Sequence, residues 1–144
     1  MEVGSVIHQT QIERGTTALY VSSDGDPYLE PRLRTLYTQT DVAISSLSKW
    51  IPLDHDHFSS REEYHEAIQD FRLALDPTNE TLTNVIGCYS RDNKVFIEMI
   101  GKSINVEKSV SYWTSLVAYQ MLIMSKEQAG IERALGSTYY ARGW

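Results

Sequence analysis

The chain of 144 residues contains a single cysteine, Cys88. One cysteine excludes an intramolecular disulfide and any zinc site that needs several cysteine ligands. Free cysteines are usually buried as small hydrophobic residues, and we expect this of Cys88. Cysteine content therefore leaves the cellular compartment open. The glycosylation triplet Asn79-Glu80-Thr81 suits an extracellular domain, but such triplets are common by chance.

The sequence also lacks long apolar runs and basic clusters. It has no apolar run of about 18 residues and no recognisable signal peptide, so the chain as given is predicted to be soluble. Its formal net charge is -6, and no Lys/Arg-rich stretch interrupts that acidic balance. Nucleic acid and anionic membrane surfaces are therefore not expected as partners. An anionic ligand would need a local site that overcomes the field of the whole molecule.

Strand-like alternation of apolar and polar residues is missing, whereas apolar residues recur at helical spacing almost throughout. Hydrophobic residues make up 42% of the chain, which suffices to build one core. We therefore predict an all-α fold in a single domain of residues 1–144. The expected architecture is an antiparallel helical bundle of about five helices, similar to a four-helix bundle with a long last helix.

Turn-forming residues and capping patterns give approximate helix limits. The predicted helices run from Val3 to Ser22, from the segment Asp26 to Pro31 to about Trp50, from Ser60 to about Leu75, from about Thr81 to Lys102 and from about Val106 to Tyr140. Ser60 and Glu63 form a capping-box pattern that opens the third helix. A brief interruption or kink is predicted over residues 103–108.

Arg14 lies inside the apolar stripe of the first predicted helix. At 100° per residue, its face also contains Val3, Ile7, Thr10, Gln11, Thr17, Ala18 and Val21. A buried guanidinium without a partner costs on the order of several kcal/mol, so a counter-charge is expected. It is either a carboxylate on a neighbouring helix or a bound anion that Thr10, Gln11 or Thr17 helps to hold.

A second arginine, Arg133, occurs in a near repeat of the segment around Arg14: "IERGTTALY" at the start and "IERALGSTYY" at the end. The main apolar stripe of the last helix is predicted on the other side, at Val110, Trp113, Val117, Met121, Met124, Ile131 and Leu135. Arg133 is thus expected to face a second helix pair or subunit, or to pair at the surface with Glu127 or Glu132.

The two arginines lie at equal distances from the chain ends. If the first and last helices run antiparallel with both chain ends at one end of the bundle, Arg14 and Arg133 lie about 16 Å from that end. At the same height, the two guanidinium groups would be able to hold one anion between them.

Other patterns support no further chemistry. His55 and His57 lie between acids in a loop, but a third metal ligand is missing. No Ser-His-Asp, Cys-His or glycine-rich phosphate-binding pattern occurs in a suitable context. Glu13 and Glu132 each precede an arginine and are expected to point toward solvent or another helix. We predict no enzyme, no metal site and no cofactor.

Two segments resemble the nitrate- and nitrite-sensing (NIT) domain family: "HQTQIERGTTALYVSSDGD" near the start and "KEQAGIERALGSTYYARGW" at the end. Thr40-Asp41 and the stretch from Tyr112 to Leu116 also resemble patterns of that family. The resemblance covers essentially the whole chain, although the specific motifs lie at its two ends. The final segment is similar to animal receptor guanylate cyclases that carry this domain between two membrane helices.

The resemblance implies an all-helical sensor domain that binds nitrate or nitrite through arginines in these motifs, here Arg14 and Arg133. Further ligand contacts are expected from Thr10, Gln11 and Thr17. It also implies the extracellular domain of a plasma-membrane receptor, a homodimer, flanking membrane helices and an output domain such as guanylate cyclase. The alternative is a helical dimerisation or interaction module without a small ligand, in which the arginines form structural salt bridges.

Overall fold

The computed structural model describes residues 2–106 and 110–141, and the side chains of residues 2–104 and 114–140. The described residues form five helices: α1 Glu2–Ser22, α2 Glu30–Ser45, α3 Arg61–Ala74, α4 Leu82–Val106 and α5 Val110–Ala141. No strand occurs among these residues. The predicted all-α helical bundle with a long last helix is confirmed.

Two predicted local signals are present. The Ser60 hydroxyl accepts the backbone N–H of Glu63 at 3.1 Å, which caps the start of α3. After α1, Asp24 and Gly25 both adopt positive φ, and the N–H of Gly25 donates to the carbonyl of Tyr20 at 2.9 Å. This left-handed turn ends α1 and allows the chain to reverse into α2.

The end of α2 was predicted wrongly. The helix ends at Ser45, not near Trp50, and the following loop folds into the core. Leu47 and Leu53 are buried, and the indole N–H of Trp50 donates to the carbonyl of Phe58 at 3.0 Å. Apolar residues at helical spacing therefore continue past the true end of the helix, because a buried loop needs them as much as a helix does.

An aromatic cluster forms one part of the core. The rings of Trp50, Phe58, Tyr64 and Phe96 lie 4.9 to 6.0 Å apart in tilted, stacked and edge-on pairs. The cluster joins the α2–α3 loop to α3 and α4, which gives the short α3 a fixed position. Cys88, expected to be buried, is only half-buried on α4.

Consecutive helices alternate in direction, and an odd number of helices makes α1 parallel to α5. Gly4 lies against Tyr119, Gln11 bonds to Glu127, and Ala18 packs in a cluster with Ala134. Both helices therefore advance in the same direction along their contact. The antiparallel arrangement of the first and last helices, on which the equal-height argument rested, is wrong.

The core face of α5 also differs from the predicted stripe. Buried residues of α5 recur at Leu116, Ile123, Glu127, Ala134 and Thr138. Three predicted stripe residues, Met121, Met124 and Leu135, are 66%, 50% and 49% exposed. The side chains of Val110 and Trp113 lie outside the described residues. The interruption predicted over residues 103–108 is wrong for residues 103–106, which continue α4 to Val106, and residues 107 and 108 lie outside the described part of the chain.

Among the described residues, no helix is long and apolar enough to span a bilayer.

Candidate anion site between α1, α4 and α5

Arg14 is fully buried where α1 contacts α4 and α5. Its Nη1 forms an ion pair with Oε1 of Glu127 on α5, and it also donates to the hydroxyl of Ser90 on α4 at 3.2 Å. Glu127 is itself only 2% exposed. The counter-charge of Arg14 is therefore an internal carboxylate, which was one of the two predicted alternatives.

Two amides complete the surroundings of the Glu127 carboxylate. Gln11 Nε2 on α1 and Asn93 Nδ2 on α4 donate to Oε2 of Glu127 at 2.7 and 3.2 Å. Thr10 donates its hydroxyl to Asn93 Oδ1 at 2.6 Å, which turns the amide nitrogen of Asn93 toward Glu127. Donors from α1 and α4 thus converge on one carboxylate from α5.

Part of the Arg14 guanidinium has no partner. Nε and Nη2 are buried and make no hydrogen bond with any described residue. Unpaired buried donors are unusual in folded proteins, because their desolvation costs about 1–3 kcal/mol each. Gly130 on α5 lies beside Nη2 and leaves room for it.

A groove of about 360 Å³ opens on the outer side of this contact, between α1 and α5. Gln11 and Gly130 line it, together with four basic residues: His8, Arg32, Lys126 and Arg133. Arg32 and Arg133 make no ion pair with any carboxylate in the described part of the chain. The groove therefore concentrates positive charge on the surface of an acidic protein.

Lys126 and His8 form a second polar pair at the groove. Lys126 Nζ lies 2.7 Å from Nδ1 of His8. Burial, and then the positive charge of Lys126, lower the pKa of His8. A neutral His8 accepts this hydrogen bond, so the charge of Lys126 remains available to an anion.

A family model described as nitrate and nitrite sensing matches residues 5–143. The chain belongs to this family, the NIT domains. No curated protein and no solved structure matches the chain significantly. The match covers both arginine motifs and makes the chain a sensor domain, not a catalytic one.

The geometry of this NIT domain brings together some of the predicted site residues. Gln11 and Arg133 line the groove, whereas Arg14 is fully buried beside Gly130 and does not line it. Thr10 does not line the groove; its hydroxyl donates to Oδ1 of Asn93 and so orients that amide.

Thr17 lies on a different side of α1. It is fully buried and does not line the groove. Burial is the main cause that raises the pKa of Tyr37 to about 12, and the nearby Thr17 hydroxyl acts against it. The structure therefore places Thr17 next to Tyr37 and does not bring it to Arg133.

A second buried charge network on that side was missed in the sequence. Glu13 is fully buried and accepts Nε and Nη2 of Arg72 at 2.9 and 2.8 Å. Arg72 also donates to Asp41 at 2.7 Å, and Tyr89 donates its hydroxyl to Glu13 at 2.7 Å. Burial opposes the charge of Arg72, yet these acceptors raise the pKa of Arg72 above its ordinary value.

This network joins four helices of the NIT domain. Of the two directions expected for Glu13, the structure shows the one toward another helix. Helical phase separates this carboxylate from Arg14 by about 100°, so α1 presents opposite charges to two different interfaces. The only sequence signal was the pair of adjacent charges, Glu13-Arg14, in an otherwise apolar and hydroxyl-rich helix.

The contacts that Asn93 makes with Glu127 and Ser90 makes with Arg14 had no signal in the sequence. Asn93 and Ser90 belong to α4, in the part of the chain that carries no motif matched to the family. Only the packing of α4 against both α1 and α5 brings these two residues to the Arg14–Glu127 pair.

Proposed function

We propose that this NIT domain is the sensor of a signalling receptor and binds nitrate or nitrite at the groove between α1 and α5. The observation that carries the proposal is the guanidinium of Arg14, buried beside Gly130 with Nε and Nη2 unpaired. A guanidinium with free coplanar donors suits the planar oxygens of these anions. Arg133 supplies a second charge at the mouth of the same groove.

The charge distribution supports an anion over a cation. The whole chain has a formal net charge of -6, yet four basic side chains surround this groove and none of its lining residues is acidic. An anion that diffuses past an acidic surface would be retained only where the potential turns positive. An anion is therefore expected to bind at this groove and not at the rest of the acidic surface.

Ligand binding would be relayed through α5. A ligand held by α1 and α5 changes the contact between two parallel helices, so α5 would shift along α1 by a small distance. In the full receptor this shift would pass to an output domain such as guanylate cyclase. The sensor would lie outside the plasma membrane, flanked by membrane helices.

A homodimer would fit the exposed apolar side of α5. Met121, Met124, Leu135 and Tyr139 are about half to two-thirds exposed and recur at helical spacing. A twofold axis along this stripe would pair α5 with α5 of the second subunit. Movement of α5 would then alter the dimer contact directly.

Thermal unfolding in nitrate, nitrite, chloride and sulfate at matched ionic strength tests the ligand. A ligand at about a hundred times its dissociation constant adds roughly 2.7 kcal/mol to stability, which raises the Tm by several degrees. Arg14→Lys retains a positive charge for Glu127 but loses the planar guanidinium, so the rise in Tm that is selective for nitrate or nitrite should disappear. Arg133→Ala should weaken the response, and Arg34→Ala, on the exposed side of α2, should leave it unchanged.

The alternative function is a helical dimerisation module without a small ligand. The Arg14–Glu127 ion pair and the exposed stripe of α5 favour it. In that case no anion gives a selective rise, and Arg14→Lys changes stability equally in every salt.

A further inference from the structure

The contacts of Glu127 carry an inference that rests on the proposed anion site and goes beyond it. We propose that Gln11, Arg14 and Asn93 form an anion cradle which the carboxylate of Glu127 fills when no ligand is bound. The external ligand must then take the place of Glu127. Small planar anions with a carboxylate-like pair of oxygens, including formate and acetate, belong to the ligand class together with nitrate and nitrite.

The donors and the acceptor of the cradle come from different helices. Gln11 and Arg14 come from α1 and Asn93 comes from α4, while the single acceptor group comes from α5. The three donors satisfy both oxygens of one planar anion without any other residue of α5. Such an arrangement is an anion site whose occupant is supplied by a neighbouring helix.

Asn93 is held in one orientation. An asparagine amide can present either its oxygen or its nitrogen to a neighbour. The Thr10 hydroxyl has a single proton, which is shared between Oδ1 of Asn93 at 2.6 Å and the carbonyl oxygen of Ile7 at 2.9 Å. Asn93 is therefore fixed with its donor side toward the anion, and Thr10 acts as a positioning residue.

The cradle lies next to the groove between α1 and α5. Gln11 and Gly130 line the outer groove, and Arg14 Nη2 lies immediately behind Gly130. Gly130 thus separates the groove from the unpaired side of the same guanidinium that holds Glu127 on its Nη1 side, and an anion would reach Nη2 once α1 and α5 part at Gly130. The exchange then requires that the Glu127 side chain leave Nη1 of Arg14, so that the anion takes its place.

The exchange has a structural consequence. Glu127 is the polar group through which α5 bonds to both α1 and α4 near the middle of their contact. When an external anion replaces it, α5 loses these bonds while α1 and α4 keep theirs. The ligand would thereby release α5 selectively, which explains how a small anion is able to shift one helix of the bundle.

Replacement of Glu127 is the direct test. In Glu127→Ala the cradle is vacant, and formate, acetate and nitrate should each raise the Tm more than they do in the wild type, whereas chloride at the same ionic strength should not. Glu13→Ala is the matched control, since Glu13 is an equally buried carboxylate paired with an arginine, away from the groove. An equal gain in Tm from these anions in both variants, or a gain in neither, would overturn the proposal.

A second pair of variants serves if Glu127→Ala does not fold. Glu127→Gln keeps the shape and one acceptor but removes the competing charge, so the dissociation constant for nitrate or formate measured by calorimetry should fall about tenfold or more. Glu132→Gln removes the same charge from the exposed surface of α5 and should change the dissociation constant less than about twofold. An unchanged constant in Glu127→Gln, or the same gain in both variants, contradicts the exchange.

The outcomes also separate this inference from the proposed function. If the wild type responds to none of these anions and Glu127→Ala binds them, the cradle is real but the domain is not a nitrate or nitrite sensor. If the wild type responds to nitrate and Glu127→Gln shows no gain, the sensor function stands and the exchange with Glu127 is wrong.

Discussion

Gly130 on α5 lies directly against the guanidinium of Arg14 on α1. A Cβ atom at Gly130 would be only 2.7 Å from Nη2 of Arg14, closer than real Cβ contacts allow. The absence of a side chain at this position therefore sets how near α5 approaches the buried charge. It also keeps the unpaired donors of Arg14 next to the groove.

Gly130→Ala should disturb the anion site and not merely the helix. Alanine favours helix by about 1 kcal/mol over glycine, but here its methyl group must push the guanidinium away from its present position. We expect a lower Tm and a weaker selective response to nitrate. Gly136→Ala is the control on the same helix, because a Cβ there meets nothing within 4 Å. It should be neutral or stabilising, and equal behaviour of the two variants would contradict this role of Gly130.

The buried pair Glu13–Arg72 should matter for stability and not for ligand binding. Arg72→Met leaves a fully buried carboxylate without its main partner, which typically costs about 3–5 kcal/mol. Urea unfolding should show this loss, while Arg91→Met, at a side chain 72% exposed, should change stability by less than about 0.5 kcal/mol. The double variant Arg72→Met, Glu13→Gln should lose less than the sum of the single changes. Additive losses would mean that the two residues do not act as a pair.

The sequence predicted the charge at Arg14 but not its partner. Periodicity places Arg14 in an apolar stripe, and burial then demands a counter-charge. The two alternatives, a carboxylate on a neighbouring helix or a bound anion, therefore followed from one helix alone. The choice of Glu127 depends on the phase of α5 against α1, which no residue of either helix determines by itself. The number of helices determines only the direction, because five alternating helices make α1 and α5 parallel; the packing of the two helices then pairs Glu127 with Arg14.

Hydrophobic pattern also gave the wrong core face for α5. That helix has apolar residues on two sides, and its buried side includes the polar residues Glu127 and Thr138. A polar residue normally counts against a core position, so the pattern favoured the stripe through Met121, Met124 and Leu135. Burial of Glu127 is possible only because Arg14, Gln11 and Asn93 supply its partners from other helices.

The exposed stripe of α5 should govern association. Met121→Glu together with Leu135→Glu places charges in the middle of a proposed α5–α5 contact. The dissociation constant of the dimer should therefore rise at least about tenfold. Sedimentation equilibrium of the isolated domain measures this directly. Leu73→Glu is the control, since Leu73 is 85% exposed on α3, away from the stripe. A wild type that stays monomeric at high concentration, or equal weakening by both changes, would contradict the interface.

Asp92 should make stability depend on pH between about 4 and 6. Burial raises the pKa of Asp92 from 3.8 to about 6, against the opposing charges of Arg91 and His57. The folded state therefore binds more protons than the unfolded state in this range, so the contribution of Asp92 is fully present below pH 3.8 and is lost as pH rises through about 6. Asp92→Asn should then be more stable than the wild type at pH 7.

The expected gain for Asp92→Asn at pH 7 is about 2 kcal/mol, since a side chain 27% exposed is partly screened by solvent. Urea unfolding at pH 4.5, 5.5 and 7 should show the gain shrink toward the acid end, because protonated Asp92 in the wild type no longer carries the buried charge. Asp70 and Asp92 both line a surface cavity between α3 and α4, and Asp70→Asn, at an exposed aspartate, should show no such trend. A gain for Asp92→Asn that stays constant with pH would mean that Asp92 ionises in the folded domain as easily as in the unfolded chain, and that the substitution acts through packing alone.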